Sequence, residues 1–389
     1  MTFAGALSRH GATKSAVADA LGLVLAEFGG EDAVRNTPPD LVLLFVTPPH
    51  AGKLQEAAAT VASALHTDKI LGCAAISVVG GVHEVEAEPA VSLWAGHIGR
   101  VETFGLEATP TADGAAFTGW PDRIPDDPSA LLLVADPFTF PVDDLLARMA
   151  LDRPGLPIVG GLASAASEPG GNRLILGSSV KTTGAVAAFL PPSVEVTTVV
   201  SQGCRPVGKP FVVTKGENNV VYELAGRPAL TRLQDMAARM SDAERLLLSR
   251  HVHLGRVIDE SKVDFGRGDF LVRNVIGADP DVGAVAVGDR VEVGSTAQFQ
   301  VRDAESADED LRELMADRLA DAALVFTCNG RGTNLFGQPD HDAAIVSECL
   351  GGVPVAGMFC AGELGPIGGR NFLHGFTASV VLFRSTAYP

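Results

Sequence analysis

The sequence predicts an α/β protein with mixed parallel and antiparallel sheets, built from repeated β-α-β-β units and divided into two domains. First, an order of apolar strand, helix and glycine-ended strand occurs three times along the chain. Second, each of these units is followed by another apolar run. Third, 389 residues with 46% hydrophobic side chains suffice for two or three domains with sizeable cores.

The first predicted element is a helix over residues 14–28, KSAVADALGLVLAEF. Val17, Leu21, Val24 and Phe28 recur at helical spacing and form one apolar face. This helix precedes the first of the three units.

The first unit begins with LVLLFV (41–46), a continuous apolar run typical of a strand buried on both faces. A helix with one apolar stripe follows over 53–66, then a strand over 70–81 that ends in glycines. The apolar run AVSLWAG (90–96) predicts the fourth element. Since a helical crossover joins the first two strands, we expect them to be parallel, and the hairpin after them adds antiparallel strands.

The second and third units repeat this order at nearly the same spacing. Their strand, helix, glycine-ended strand and final strand are predicted at 131–134, 141–150, 158–166 and 184–190, and at 324–326, 340–350, 355–365 and 376–383. The glycine of the second strand follows the end of the first strand by 26, 26 and 31 residues, as counted from Val46 to Gly72, from Val134 to Gly160 and from Phe326 to Gly357.

The segments between the units are of different kinds. Residues 107–130 predict a surface loop or a hairpin insertion, and 193–226 predict strands with a turn at Gly216 to Asn219. Helices are predicted over 228–240, with Pro228 at the first helical position, and over 242–250; 268–301 predict a strand meander. The switch from strands to helices predicts two domains, residues 1–225 and 226–389.

The charge excludes some classes of partner. The formal net charge is −17 and the isoelectric point is near 4.9. A strongly acidic surface repels phosphate groups, so nucleic acid and anionic membranes are not expected partners. One pocket can still be basic on an acidic protein, so the charge does not decide the nature of a small ligand.

The cysteines indicate a reduced, cytoplasmic protein. There are five, Cys73, Cys204, Cys328, Cys349 and Cys360, widely spaced and without a CxxC pair. A disulfide framework or a structural zinc site is therefore not expected, and we predict no metal and no cofactor. The N-terminus lacks a signal-peptide core, and the apolar runs are shorter than the roughly 18 residues of a membrane span, so no membrane insertion is expected.

Three ordered motifs resemble those of FIST proteins. SQGCRPVGKPFVVTKGENNVVYELAGRPAL (201–230) is similar to the closing segment of FIST N domains, and it carries the typical residues Gln202, Gly203, Pro206, Gly208, Thr214, Asn219, Glu223, Leu224, Gly226, Pro228 and Ala229. TCNGRGTNLFG (327–337) resembles the Cys-x-x-Arg-Gly motif of FIST C domains. GMFCAGELGPI (357–367) resembles their Gly-Phe-x-x-Gly-Glu-Ile-Gly-Pro motif, with Met358 interposed and Leu364 in place of isoleucine.

The last motif, FLHGFT (372–377), resembles the closing Leu-His-x-x-Thr of FIST C domains, with Gly375 where asparagine usually follows the histidine. The resemblance runs from about residue 14 to 386. It implies a FIST N-like domain over 1–225 and a FIST C-like domain over 226–389. It also implies a sensory role with small ligands such as amino acids. Because the sequence carries no transmitter domain, the protein is expected to act through a protein signalling partner, alone, or by a different activity.

The segment TCNGRGTNLFG is the main candidate for a ligand site. It follows a buried strand, and ligands usually bind at the carboxyl ends of strands in α/β sheets. Gly330 and Gly332 allow close approach of the backbone to a ligand, and Arg331 offers a fork suited to a carboxylate. The alternative is a glycine-rich turn in which Arg331 is solvated or in a structural ion pair.

Glu363 lies on the glycine turn of the same unit, so it and Arg331 are expected to face one crevice. Arg331 would then bind the carboxylate of a zwitterion and Glu363 its ammonium group. The alternative is a buried Arg331–Glu363 ion pair that orders the turn. The predicted ligand-binding set is Cys328, Asn329, Gly330, Arg331, Gly332, Asn334, Cys360, Gly362, Glu363, His374 and Thr377.

Two other functions remain open. Cys328 could be the nucleophile of a thiol-dependent hydrolase or transferase, with His374 or else His341 as its base. Without a family-specific signature around Cys328, a small buried side chain is the favoured interpretation, and binding is favoured over catalysis. The third possibility is a protein-interaction scaffold with a vestigial pocket.

Two further features are assigned a structural role. His251 and His253 are expected at the surface, and the turn GGLAS (160–164) is expected to be a turn rather than a second pocket.

Overall fold

The computed structural model describes residues 1–112, 114–250 and 252–386. The described residues form two compact units: unit 1 lies within residues 1–200 and 312–386, and unit 2 lies within residues 201–311. The α/β class is confirmed, with helices and mixed sheets in the predicted order. The helices are α1 Thr13–Glu27, α2 Glu31–Asn36, α3 Pro48–Ala51, α4 Leu54–Leu65, α5 Val142–Asp152, α6 Ala229–Ala237, α7 Asp242–Arg250, α8 Ala304–Met315, α9 Thr333–Phe336 and α10 His341–Cys349.

The strands of unit 1 belong to three sheets, and those of unit 2 to a fourth. Unit 1 contains β1 Phe3–Ser8, β2 Leu41–Val46, β3 Ile70–Ala74, β4 Ser77–Gly80, β5 His83–Glu86, β6 Val91–Gly96, β7 Glu102–Thr111, β8 Gly114–Thr118, β9 Ala130–Ala135, β10 Ile158–Leu162, β11 Leu174–Leu176, β12 Ser179–Lys181, β13 Ala185–Leu190, most of β14 Val194–Gln202, β23 Ala322–Cys328, β24 Val355–Cys360, β25 Glu363–Ile367, β26 Arg370–His374 and β27 Thr377–Ser385. Unit 2 contains β15 Cys204–Pro206, β16 Phe211–Glu217, β17 Val220–Leu224, β18 Arg227–Pro228, β19 Val252–Val257, β20 Phe270–Asp279, β21 Ala284–Val287 and β22 Thr296–Arg302.

The three sheets of unit 1 share one plan. Their strand orders are β1-β6-β2-β3-β11-β12, β26-β25-β10-β9-β13-β7-β8 and β14-β27-β23-β24-β4-β5. Each contains a parallel pair, β2 with β3, β9 with β10 or β23 with β24. The final strand of each unit, β6, β13 or β27, lies antiparallel to the first strand of that pair. The predicted β-α-β-β units and their parallel crossovers are therefore confirmed.

The hairpin that follows each glycine-ended strand joins the sheet of another unit. The hairpin β4–β5 pairs with β24, β11–β12 pairs with β3, and β25–β26 pairs with β10. Each β-α-β-β unit thus adds a hairpin to the sheet of another β-α-β-β unit, and the three β-α-β-β units are interlocked. The predicted strands over 70–81 and 355–365 are each two strands, because the chain leaves one sheet for the next at this point.

The exchange of hairpins explains why the C-terminal residues belong to the same compact unit as the N-terminal ones. Strands β23, β24 and β27 pair with β4–β5 and β14 in the third sheet, so this C-terminal part of the chain packs with the first 200 residues. The predicted sequence domains 1–225 and 226–389 remain a prediction about the sequence, since the compact units cut the chain at other positions.

The main core of unit 1 lies between its three sheets. Inward-facing side chains of every sheet belong to one apolar cluster, including the fully buried Phe45, Leu132 and Phe326. Helices α1 and α4 cover the outer face of the first sheet, and α5 covers that of the second. The continuous apolar runs arise because both faces of the central strands are buried.

The glycine of each second strand has one structural role. A Cβ at Gly72, Gly160 or Gly357 would lie 1.9 Å from the backbone oxygen of its partner on the parallel strand, which is Leu44, Leu133 or Val325 in turn. Only glycine permits this approach. The spacing noted in the sequence therefore marks the same position in three structural repeats.

Unit 2 is built on a closed antiparallel barrel. Strand β22 pairs with both β16 and β19, and the ring continues through β17, β21 and β20. Its apolar core includes the buried side chains of Val213, Val285 and Phe299. His253 is fully buried on β19, so the expectation of a surface position is wrong for it; His251 lies outside the described residues. In the part of the chain that the structure describes, no helix is both long and apolar enough to cross a membrane.

Candidate functional site

The segment TCNGRGTNLFG begins at the end of β23. Cys328 closes the strand, and its carbonyl oxygen accepts a 2.8 Å hydrogen bond from the backbone nitrogen of Arg331. Gly332 has φ +56°, and a Cβ there would lie 2.7 Å from Glu86 Oε1. Glycine therefore lets this turn approach the exchanged hairpin β4–β5.

Arg331 is a fully buried structural cation. Its Nε and Nη2 donate hydrogen bonds of 2.7 and 2.8 Å to the two carboxylate oxygens of Asp342, in the first turn of α10. The Thr327 hydroxyl donates to Asp342 Oδ2 at 2.6 Å. Burial alone would lower the pKa of Arg331, but Asp342 raises it above its ordinary value. Burial would likewise raise the pKa of Asp342, and Arg331 holds it well below its ordinary value.

Glu363 is also fully buried. Its Oε2 accepts hydrogen bonds from the Thr377 hydroxyl at 2.8 Å and from the Thr377 backbone nitrogen at 3.2 Å. Burial raises the pKa of Glu363 to about 8, so this carboxyl is neutral at pH 7. His374 is its cross-strand neighbour, and its Nε2 donates to the Gly365 carbonyl oxygen at 2.9 Å.

This geometry corrects the predicted roles of Arg331 and Glu363. The Nε and Nη2 edge of the guanidinium that would bind a ligand carboxylate is occupied by Asp342, and Glu363 is fully buried with its Oε2 bonded to Thr377. The alternative Arg331–Glu363 ion pair is also wrong, because the partner of Arg331 is Asp342.

The predicted residues form a mainly buried layer beneath a surface cleft. Gly330 is half-buried, and eight residues of the predicted set are buried: Cys328, Arg331, Gly332, Cys360, Gly362, Glu363, His374 and Thr377. Asn329 and Asn334 line the cleft itself. Arg331, Glu363 and His374 are not among the lining residues.

The cleft has a volume of about 490 Å³ and lies between the hairpin β4–β5 and the segment that follows β23. Its lining is acidic, with Arg9 as the one basic side chain among the described lining residues. The lining comprises Arg9, Ile76, Ser77, Glu84, Val85, Glu86, Ala87, Glu88, Asn329, Thr333, Asn334, Pro339, Asp340 and Phe359.

Carboxylates hold the two walls of the cleft together. Glu86 accepts hydrogen bonds from the Thr333 backbone nitrogen at 3.0 Å and from its hydroxyl at 2.7 Å. Asp340 accepts one from the Glu84 backbone nitrogen at 2.6 Å. The hairpin is thereby fastened to the motif segment and to the residue before α10, across more than 240 residues of sequence.

Glu84 is the most unusual side chain of the cleft. It is 3% exposed, and its Oε1 accepts a 3.0 Å hydrogen bond from the Ala343 backbone nitrogen at the start of α10. Its Oε2 is buried without a hydrogen-bond partner among the described residues, and so is Asn329 Oδ1. Burial and the nearby Asp342 charge raise the pKa of Glu84 above its ordinary value. Buried acceptors without a donor are costly, so a donor that reached either atom from the cleft would remove that cost.

Six residues at or beneath the cleft were not predicted from the sequence: Arg9, Glu84, Glu86, Glu88, Asp340 and Asp342. A signal for Glu84 and Glu86 was present in HEVE (83–86), where the two glutamates alternate along β5 and so share one face. Because the hairpin joins the sheet of another unit, the sequence does not reveal that this face meets the FIST C-like motif. Within the described residues, no cluster of three or more His, Cys, Asp or Glu side chains could hold a metal ion.

The thiols are mostly inaccessible. All five cysteines are free, and Cys73, Cys204, Cys328 and Cys360 are buried. Burial raises the pKa of the Cys73 and Cys360 thiols. Cys328 lies beside Glu363, whose pKa it affects through a side-chain hydrogen bond.

We expect iodoacetamide to modify Cys349 first, because it alone of the five is partly exposed. Cys73 and Cys360 should react only after unfolding, since a buried neutral thiol is a poor nucleophile. Peptide mass spectrometry over a time course measures the order. Rapid, pH-dependent modification of Cys328 ahead of Cys349 would contradict this expectation and support the thiol-enzyme alternative.

Glu363 predicts a pH dependence of stability. Its pKa is about 8 in the folded chain against 4.5 ordinarily, so its contribution is fully present below pH 4.5 and lost as the pH rises toward 8. The free energy of unfolding should fall by about 1.4 kcal/mol per pH unit from this group in that window. Urea unfolding of Glu363→Gln should show a flatter profile, whereas exposed Glu168→Gln should keep the wild-type slope. Equal slopes in wild type and Glu363→Gln would refute the assignment.

Comparisons with known proteins agree with the motifs. The family model for the FIST N domain matches residues 40–227, and that for the FIST C domain matches residues 229–366. An uncharacterized protein of Mycobacterium tuberculosis is 44% identical over 360 residues, 91% of this chain and 93% of the relative. An uncharacterized protein of Mycobacterium bovis is 43% identical over 377 residues, 95% of each chain. The chain therefore belongs to the FIST family, whose domains are sensory domains of signal transduction.

Proposed function

We propose that this protein is an intracellular sensor that binds a small zwitterion, with amino acids as the leading class, in the acidic cleft. The observation that carries the proposal is Glu84 Oε2, a buried acceptor without a partner in a side chain that lines the cleft. An ammonium group supplies three donors and a charge that a carboxylate stabilises. The cleft volume of about 490 Å³ lies in the range of small-molecule sites.

The charges of the lining assign the two ends of the ligand. The ammonium group would bind Glu84, with Asn329 Oδ1 as a second acceptor. Arg9 is exposed at the cleft and offers a partner for the carboxylate. The ligand class is thus the one expected from the family motifs, with Glu84 and Arg9 in the roles first given to Glu363 and Arg331.

Hydrogen bonds connect the cleft to the elements around it. Glu84 bonds to the first turn of α10, where Asp342 pairs with Arg331. Glu86 bonds to the motif segment, and Asp340 bonds to the hairpin. A ligand that bridges these walls would favour one arrangement of the hairpin and the segment over others. A protein partner would recognise the favoured arrangement and pass the signal on.

Isothermal titration with the proteinogenic amino acids tests the proposal. At least one amino acid should bind. Glu84→Gln should lower the affinity for that amino acid by about tenfold or more, since a hydrogen bond to a charged group contributes about 1.5–3 kcal/mol. Arg9→Ala should weaken it as well, whereas Glu168→Gln, an exposed glutamate outside the cleft, should bind as wild type. No heat with any amino acid, or unchanged affinity in Glu84→Gln, would refute it.

The pH dependence of binding gives a second test. Because the pKa of Glu84 is raised, its carboxyl holds a proton that an ammonium ligand must displace. Affinity should therefore rise as the pH increases from 6 toward 8, with proton release visible as a dependence of the binding enthalpy on the buffer. Glu84→Gln should remove both effects. Affinity that is constant over this range in the wild type would argue against Glu84 as the ammonium site.

A further inference from the structure

A basic groove on unit 2 is independent of the cleft. It has a volume of about 640 Å³ and lies along α6 and the turn after it, beside the loop that enters β16. We call it the α6 groove and define it by Lys209, Phe211, Arg227, Met236, Arg239 and Met240. All of these residues belong to unit 2.

The α6 groove is positive on a chain whose net charge is −17. Five basic side chains line it, namely Arg205, Lys209, Arg227, Arg232 and Arg239, against the two carboxylates of Asp235 and Glu244. An acidic partner is repelled by most of the protein surface, so a local positive groove would orient its approach.

Three of these cations already have partners. Arg205 Nε lies 2.7 Å from Asp303 Oδ2, and Arg227 Nη2 lies 3.0 Å from Asp235 Oδ2. Arg232 donates to backbone carbonyl oxygens. Among the described residues, Lys209 and Arg239 have no carboxylate within ion-pair distance, and both side chains are exposed.

The lining between these cations is partly apolar. Phe211, Met236 and Met240 are half-buried, and Arg232 lies over the Phe211 ring at 4.8 Å from its centre. Methionine side chains are flexible and adapt to varied apolar groups. Gly208 has φ +70°, and a Cβ there would lie 2.8 Å from Met236 Sδ, so glycine keeps the loop close to the helix.

We propose that the α6 groove is a docking site for an acidic segment of a partner protein that also carries apolar side chains. Its carboxylates would pair with Lys209 and Arg239, and its apolar side chains would cover Phe211, Met236 and Met240. The two unpaired cations provide charge complementarity to an acidic segment. The half-buried side chains between them provide an apolar contact area, which a peptide segment would cover and a small anion would not.

The test uses the full chain and a fluorescein-labelled synthetic peptide with Glu and Leu at helical spacing; a Lys and Leu peptide of the same pattern is the control probe. Fluorescence anisotropy should show binding of the acidic peptide and no binding of the Lys and Leu peptide. The double variant Lys209→Glu/Arg239→Glu should weaken it by about tenfold or more. The double variant Lys215→Glu/Arg290→Glu makes the same change of net charge at exposed positions outside the groove, and it should change the affinity less than about threefold.

Several outcomes would overturn the proposal. Equal weakening by both double variants would show that only the net charge matters. Displacement of the peptide by millimolar inorganic phosphate would assign the groove to small anions. Self-association of the chain that is lost in Lys209→Glu/Arg239→Glu would make a second copy the occupant. The proposal is separable from the sensor function, because Glu84→Gln should leave peptide binding unchanged and the groove variant should leave amino acid binding unchanged.

Discussion

Replacing Asp342 by alanine should destabilise the protein by about 3–5 kcal/mol, because it leaves the fully buried guanidinium of Arg331 without its counter-charge. The substitution also removes the acceptor of the Thr327 hydroxyl. Urea unfolding followed by circular dichroism measures the loss. Glu348→Ala is the matched control, since this exposed carboxylate of the same helix pairs with Arg312 at 3.4 Å and should contribute less than about 1 kcal/mol.

A compensating double variant separates lost charge pairing from lost packing. In Arg331→Met/Asp342→Leu neither charge remains, and apolar replacement of a buried pair is often close to neutral. The double variant should therefore recover much of the stability lost in Asp342→Ala. A loss below about 1 kcal/mol in Asp342→Ala would contradict the structural role of the pair and would reopen a direct ligand role for Arg331.

Gly160→Ala should prevent folding or cost more than about 4 kcal/mol. The new Cβ would lie 1.9 Å from the Leu133 carbonyl oxygen, and alanine is strained at the φ of +128°. Because Gly72 and Gly357 make the same approach in the other units, their alanine variants should behave alike. The yield of folded protein and the urea midpoint measure the effect.

Gly22→Ala is the control, and it should change the free energy of unfolding in the opposite direction. Gly22 lies inside α1, and a Cβ there would meet no atom within 4 Å. Alanine is the better helix former, so this variant should be more stable by about 0.5–1 kcal/mol. A Gly160→Ala protein as stable as wild type would refute the assignment of these three glycines as repeat markers.

The local order of the fold follows from the sequence. The run 41–46 and the helical stripe of Leu54, Val61 and Leu65 are strong signals because both depend only on neighbouring residues. Gly72, Gly160 and Gly357 were recognisable by their spacing, since one backbone approach requires them three times. The exchange of hairpins between units was not predictable, because the choice of partner strand depends on contacts far away in sequence.

The candidate site was predictable only in part. TCNGRGTNLFG does end a buried strand, but the partner of Arg331 is eleven residues away and reads in the sequence as an ordinary acidic residue at a helix start. Glu84 reaches the same place from another unit through the exchanged hairpin. The residues beneath the cleft were thus identified, while most of the residues that line it were not.

The most direct test of the sensor proposal is a crystal structure with an amino acid that titration shows to bind. The ligand should lie in the acidic cleft, with its ammonium nitrogen about 3 Å from Glu84 Oε2 and its carboxylate toward Arg9. A ligand bound instead to Arg331 or Glu363, or outside the cleft with Glu84 Oε2 still without a partner, would contradict it.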